Sequence, residues 1–162
     1  MERNQSNVSE DIRAGHSDVD LVAKWIISSG IQSGEGGFYA WLDLQDKSYS
    51  YLYSEITGYG ITSLLFLYKI FGEKAFIDKA ELAADWIISK SIHSCGGVKT
   101  RLYEDNKKAD KRYCFTGEKI FSFDTGIVLY GIINLYKLTR KAKYLQISES
   151  LADFIINKMH QQ

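Results

Sequence analysis

The chain has 162 residues, 45% of them hydrophobic and 14% aromatic, enough apolar side chain to build a core and to exclude global disorder. Its 20 basic and 20 acidic residues cancel, which argues against a nucleic-acid or anionic-membrane surface as its main business. The length points to one domain, and two cysteines without an apolar leader point to a reducing, cytoplasmic compartment.

In chain order, residues 1–17 read as a polar tail. Asp18 or Asp20 can cap a first helix ending near Ser29, with Leu21, Trp25 and Ile26 or Ile27 at helical spacing. The aromatic-rich stretch from Gly36-Gly37-Phe38 through Trp41, turning near Gln45-Asp46-Lys47 and returning through Tyr49, Tyr51 and Tyr53, alternates as a short β-hairpin does. Residues 57–71 form a helix that is apolar nearly all round and must therefore be covered on several sides. A tight Gly72-Glu73 junction leads to an amphipathic helix with Phe76, Ala80, Ala83 and Ile87 on one face and Lys74, Asp78, Glu81 and Asp85 on the other.

The second half repeats this order. A long connection runs from Gly96-Gly97-Val98 to Phe121-Ser122-Phe123, with extra residues at 106–112. Residues 125–138 form another all-round apolar helix, and Thr139-Arg140 turns the chain into a last amphipathic helix, with Tyr144, Ile147, Leu151, Phe154 and Ile155 inward. The apolar runs at 61–71 and 127–138 fall well short of the ~20 residues a membrane-spanning helix needs.

This order is an internal repeat. Leu21-Val22-Ala23-Lys24-Trp25-Ile26-Ile27-Ser28 matches Leu82-Ala83-Ala84-Asp85-Trp86-Ile87-Ile88-Ser89, and Ala152-Asp153-Phe154-Ile155-Ile156 is a third, shorter copy. Gly36-Gly37 returns as Gly96-Gly97, Thr57-Gly58 as Thr125-Gly126, and Leu67-Tyr68-Lys69 as Leu135-Tyr136-Lys137. Such a unit cannot bury its apolar face alone and must stack on its neighbours. The expected fold is all-α, built of α/α hairpins with outer and inner helices alternating and short β-hairpins in the long loops.

Alternating helices with long loops at one end resemble the α/α toroids, above all the six-hairpin glycosidase-like superfamily. The Gly36-Gly37-Phe38 turn followed by Tyr53-Ser54-Glu55-Ile56-Thr57-Gly58-Tyr59 is also similar to the terpenoid cyclase and protein prenyltransferase repeats. The resemblance covers residues 18–159. It implies a partial α/α toroid over residues 18–162 with a saccharide ligand, acting as a glycoside hydrolase, epimerase or lyase does. The alternatives are a non-catalytic helical-repeat interaction module and a cyclase-like toroid holding an isoprenoid. A ring of six hairpins needs more helices than the five in this chain, so the resemblance also implies a homo-oligomer, a partner chain or a continuation of the sequence that completes the toroid. The apolar surface left open is expected around Leu64, Leu65, Ile132 and Ile133.

Glu55 and Asp124 precede or open the two inner helices, where paired carboxylates can serve as general acid and base; an N-cap at Asp124 and a helix-dipole partner at Glu55 explain the same positions. Tyr39, Trp41 and Tyr59, with Tyr49, Tyr51 and Tyr53, can stack on sugar faces or simply pair across the hairpin. Arg101, with Lys99, can meet a uronate or phosphate, or point into solvent. Lys107, Lys108, Lys111 and Arg112 read as a solvated loop tip. His93, Cys95 and Cys114 lack the paired spacing of a zinc site, and there is neither a glycine-rich phosphate loop nor a Ser-His-Asp set, so no metal and no cofactor are expected.

Overall fold

A computed structural model describes residues 18–103 and 119–158, in two compact units, residues 1–30 and 31–162. The tail at 1–17, the loop tip at 106–112 and Cys114 lie outside the described residues. The first unit contributes helix α1 over residues 18–28, which includes both Asp18 and Asp20. Leu21 and Trp25, which stand at helical spacing, are 64% and 51% exposed, while Ala23 is buried. Periodicity identified the helix but not which of its apolar side chains are covered.

The second unit begins with a hairpin of β1 (Leu42–Asp43) and β2 (Ser48–Tyr49), extended by bonds from Ala40 N–H to the Tyr51 carbonyl and from Tyr53 N–H to the Phe38 carbonyl. It continues through β3 (Leu52–Tyr53) into α2 (Ser54–Phe71) and α3 (Lys74–Trp86), which ends in a π-helical turn at Ile87–Ser91. Then follow β4 (Arg101–Leu102), α4 (Ser122–Thr139) and α5 (Ala142–Asp153), the last with its own π-helical turn at Phe154–Lys158. The loop before α4 was expected to hold a second hairpin. Residues 104–118 of that loop lie outside the described residues; its described strand β4 pairs antiparallel with β3 from the first loop, Tyr53 opposite Arg101 and Leu52 opposite Leu102. The two long loops are thereby joined through one strand pair.

Helices α2 and α4 lie side by side and run the same way: Gly58 approaches Ile127 and Val128, and Gly131 approaches Gly58 and Ile61. A Cβ on Gly131 would stand 2.8 Å from the Gly58 carbonyl oxygen, so the absence of side chains is what lets the two backbones meet. Helix α3 backs α2, and α5 backs α4. Between the layers Ile61, Leu64, Val128, Ile132 and Leu135 are fully buried, with Ala80, Ala83, Tyr144 and Leu151 from the outer helices. At the outer layer, Lys141 pairs with Glu81 at 2.6 Å and Lys143 with Asp85 at 2.5 Å, tying α5 to α3.

Each repeat is closed by the same bonds. Gly36 N–H donates to the Ser33 carbonyl and Ser33 N–H to the Gly37 carbonyl; Gly96, His93 and Gly97 do the same. Gly36 and Gly96 take φ of 117° and 105°, a region that favours glycine. The residue after each pair donates its N–H to a helix threonine, Phe38 to Thr57 and Val98 to Thr125. Each Gly-Gly turn then seats an aromatic ring of the following outer helix: Gly37 lies against Trp86, and Gly97 against Phe154.

One expectation fails. Helices α2 and α4 are central, but they are not enclosed on every side. Tyr59, Ser63, Phe66 and Ile70 form an exposed stripe on α2, and Phe123, Tyr130 and Lys137 form one on α4. Leu64, Leu65 and Ile132, expected to be uncovered, are buried, and Ile133 is half-buried. Each central helix meets its neighbour on one flank and an outer helix behind, which leaves its third side to solvent.

Candidate functional site

Two carboxylates meet where α2 and α4 begin. Glu55 is the second residue of α2 and Asp124 the third of α4, so the parallel pairing of these helices brings their first turns together. Neither residue is a cap. The N-cap positions belong to Tyr53 and Phe121, both in extended backbone without a side-chain capping bond, which removes the capping explanation for Asp124. The positive ends of both helices remain a favourable setting for an acidic group.

Asp124 is 2% exposed, and its Oδ2 has no hydrogen-bond partner among the described residues. Burial pushes its pKa above the ordinary 3.8, and the negative charge of Glu55 adds to the rise; the Thr100 hydroxyl and the Arg101 guanidinium pull the other way. The Thr100 hydroxyl stands near the carboxylate, but the geometry falls short of a hydrogen bond, and its oxygen is itself unpartnered. A buried, unsatisfied carboxylate costs stability.

Glu55 is half-buried, with the Tyr53 hydroxyl close to it. Burial first, and then that contact and the charge of Asp124, hold the Tyr53 phenol well above its ordinary range. Tyr53 is placed by three constraints at once, being the end of β3, the N-cap residue of α2 and the register partner of Arg101. Opposed residues of an antiparallel pair share a face, so Tyr53 and Arg101 reach the carboxylates together.

Arg101 lies over the Tyr51 ring at 4.6 Å. Around Tyr51 gather Trp41 edge-on at 5.2 Å, Tyr103 at 5.4 Å and Tyr53 at 6.0 Å. Trp41 thus reaches the carboxylates through Tyr51 and Arg101. Tyr59 is 43% exposed one turn beyond Glu55, on the same face of α2. Tyr39 stands apart: it is buried, with its ring stacked on Tyr49 at 4.9 Å. The cluster therefore joins Glu55, Asp124 and Arg101, with Trp41 and Tyr59 at its margins. Sequence reading treated Tyr53 only as one ring among several and passed over Thr100. The signal for Tyr53 was its position two residues before Glu55 at a strand-to-helix junction.

His93 Nδ1 accepts the Cys95 N–H at 3.1 Å within the second Gly-Gly turn. Among the described residues no group of three or more His, Cys, Asp or Glu side chains is arranged to hold a metal ion.

The raised pKa gives a stability prediction. A carboxyl that holds its proton more tightly when folded stabilises the fold most at low pH, and that contribution is lost as pH rises through the ordinary value toward the folded one. Asp124→Asn removes this dependence. The melting temperature of wild type, relative to Asp124→Asn, should be highest near pH ~3 and decline steadily above pH ~4. Circular-dichroism melts of both proteins from pH ~3 to ~7 check it; a difference that grows with pH would mean that the Asp124 charge stabilises the fold.

Parallel central helices backed by outer ones, with two carboxylates and aromatic loops gathered at one end, define an α/α hairpin protein of the six-hairpin glycosidase-like class. The chain belongs to glycosyl hydrolase family 76, whose profile matches residues 20–162. That family has the α/α toroid fold of this class, and the chain is a carbohydrate-active, glycoside hydrolase-like protein. No curated protein and no solved structure matches the chain. No helix among the described residues is long and apolar enough to cross a membrane.

Proposed function

We propose that the chain hydrolyses a glycosidic bond, with Asp124 as general acid and Glu55 as the second carboxylate. The observation that carries this reading is the pair itself: two acidic side chains in electrostatic contact, one of them buried with an unpartnered oxygen. Asp124 donates its proton to the leaving oxygen as the glycosidic bond breaks, and Arg101 and Thr100 favour the carboxylate that results. Glu55 serves the sugar carbon, by direct attack or by taking a proton from the attacking water. The chemistry needs no cofactor. Trp41 and Tyr59 offer ring faces to the sugar and Arg101 a cation, while Tyr39 supports them through the hairpin stack with Tyr49. A cytoplasmic location belongs to the same reading, in keeping with the free thiol of Cys95. So does a further chain, a second copy or another partner, covering the open side of α2 and α4.

Binding tests the site apart from turnover. With Glu55→Gln as background to prevent cleavage, Tyr59→Ala and Trp41→Ala should each weaken binding of an oligosaccharide by about tenfold, roughly the loss of one well-packed aromatic contact. Calorimetric titration reads this. Unchanged affinity in both variants would move the saccharide away from this end of the bundle.

A further inference from the structure

We infer that Thr100 is a positioning residue for Asp124, its hydroxyl partnering the carboxyl both with its proton and without it. The inference rests on the hydrolytic reading for the role of Asp124 and adds what sets the acidity of that group. Thr100 and Asp124 are each 2% exposed, and Thr100 Oγ1 and Asp124 Oδ2 are buried without a hydrogen-bond partner among the described residues. A carboxyl needs an acceptor while it holds its proton and a donor once the proton has left; a hydroxyl is both. Neither charged neighbour can serve both states, because Arg101 only donates and an ionised Glu55 only accepts.

The backbone makes Thr100 a fixed partner. Its N–H donates to the Lys119 carbonyl at 3.0 Å, and its carbonyl accepts the Ser54 N–H at 3.2 Å. The preceding residue is held as firmly: Lys99 N–H donates to the Ser91 carbonyl at 2.8 Å, and the Lys99 carbonyl accepts the Ser54 hydroxyl at 2.5 Å. The Ser54 and Ser91 hydroxyls meet at 2.5 Å, and both serines are fully buried. Ser54 opens α2 and Ser91 ends the π-helical turn after α3, so this serine clasp fastens the approach to β4 onto two helices. Val98 N–H reaches the hydroxyl of Thr125, the neighbour of Asp124, at 3.3 Å, which brings the same stretch against the first turn of α4. With its backbone pinned, the β-branched Thr100 has few rotamers. The terminal torsion of an aspartate is broad, so the Asp124 carboxyl can turn to close the remaining gap.

A hydrogen bond to a carboxylate is stronger than one to the neutral acid, so the Thr100 hydroxyl favours the charged form. Removing the hydroxyl should therefore raise the Asp124 pKa. The other charged or titratable groups facing Asp124 among the described residues are Glu55 on α2, Arg101 on β4 and Tyr53 at the end of β3, and Thr100→Val leaves all three in place.

Carbon NMR titration of the full chain labelled at its aspartate carboxyls tests this without any activity assay, the Asp124 signal being the one that Asp124→Asn removes. Thr100→Val should move its midpoint to higher pH, and Thr100→Ser, which keeps the hydroxyl, should leave it near wild type. In hydrolysis, Thr100→Val should lower kcat about tenfold with KM unchanged, the loss of one hydrogen bond to a charged group, and Thr100→Ser should restore it. The alkaline limb of the pH profile should move with the NMR midpoint, which a merely structural role would not cause. A midpoint that stays or falls in Thr100→Val overturns the inference, as does a Thr100→Ser midpoint displaced as far as that of Thr100→Val. If Thr100→Val does not fold, the wild-type Thr100 methyl signal, identified by its loss in Thr100→Ser, decides: it should titrate at the Asp124 midpoint, and a flat signal overturns the inference. A wild-type chain that cleaves no saccharide but shows the expected midpoint changes overturns the hydrolytic reading and supports the link between Thr100 and Asp124.

Discussion

Trp86→Ala lowers the unfolding free energy by about 3–5 kcal/mol, whereas Trp25→Ala, the same change in another copy of the same sequence, lowers it by less than about 1 kcal/mol. Trp86 is 2% exposed, and Gly37 lies so close that an added Cβ would stand 2.6 Å from indole Cε2. Truncation there leaves a void that the glycine turn cannot fill, because Gly37 has no side chain and its backbone is fixed by the bonds of the turn. Trp25 is 51% exposed and has far less buried surface to lose. Urea denaturation followed by circular dichroism measures both. Equal losses would mean that Trp25 is packed as Trp86 is, and that the two copies do not differ in environment.

On the proposed hydrolytic reading, Glu55→Gln and Asp124→Asn should each reduce hydrolysis by about 10²–10⁴-fold, the usual share of a positioned acid or base. Both substitutions keep side-chain size, and neither position caps its helix, so the loss is not expected to come from unfolding. For Asp124 the two effects run in opposite directions near neutral pH. The variant would lose the proposed proton donor but is also relieved of a buried carboxylate with an unpartnered oxygen. Initial rates of reducing-end release, with melting curves on the same samples, separate the two effects. Full activity in either variant would remove that residue from the chemistry.

Much of the fold was legible because the chain repeats itself. Gly-Gly pairs, threonines and aromatic residues recurring in one order specified the hairpin unit, and the same hydrogen bonds recur in the structure at Ser33 to Gly37 and His93 to Gly97. Cover was harder to read. A helix apolar on all sides must hide somewhere, but its sequence does not name what hides it, so Phe66 and Tyr130 are exposed where Leu64 and Ile132 are buried. The pairing of β3 with β4 was hidden too, since a strand of two residues has too short an alternation to specify a partner in another loop. At the site, the placement of Glu55 and Asp124 at the starts of the central helices brought them to one end. The part played by Tyr53 depends on its register with Arg101, which no spacing along the chain records.

The most direct test of the central claim is proton NMR of polysaccharides incubated with the wild-type chain and, in parallel, with Glu55→Gln. The account predicts a new reducing-end anomeric signal that grows with wild type and is lost or slowed at least about a hundredfold with the variant. A folded wild-type chain that releases no reducing end from any polysaccharide, or a variant that releases it as fast, would contradict it.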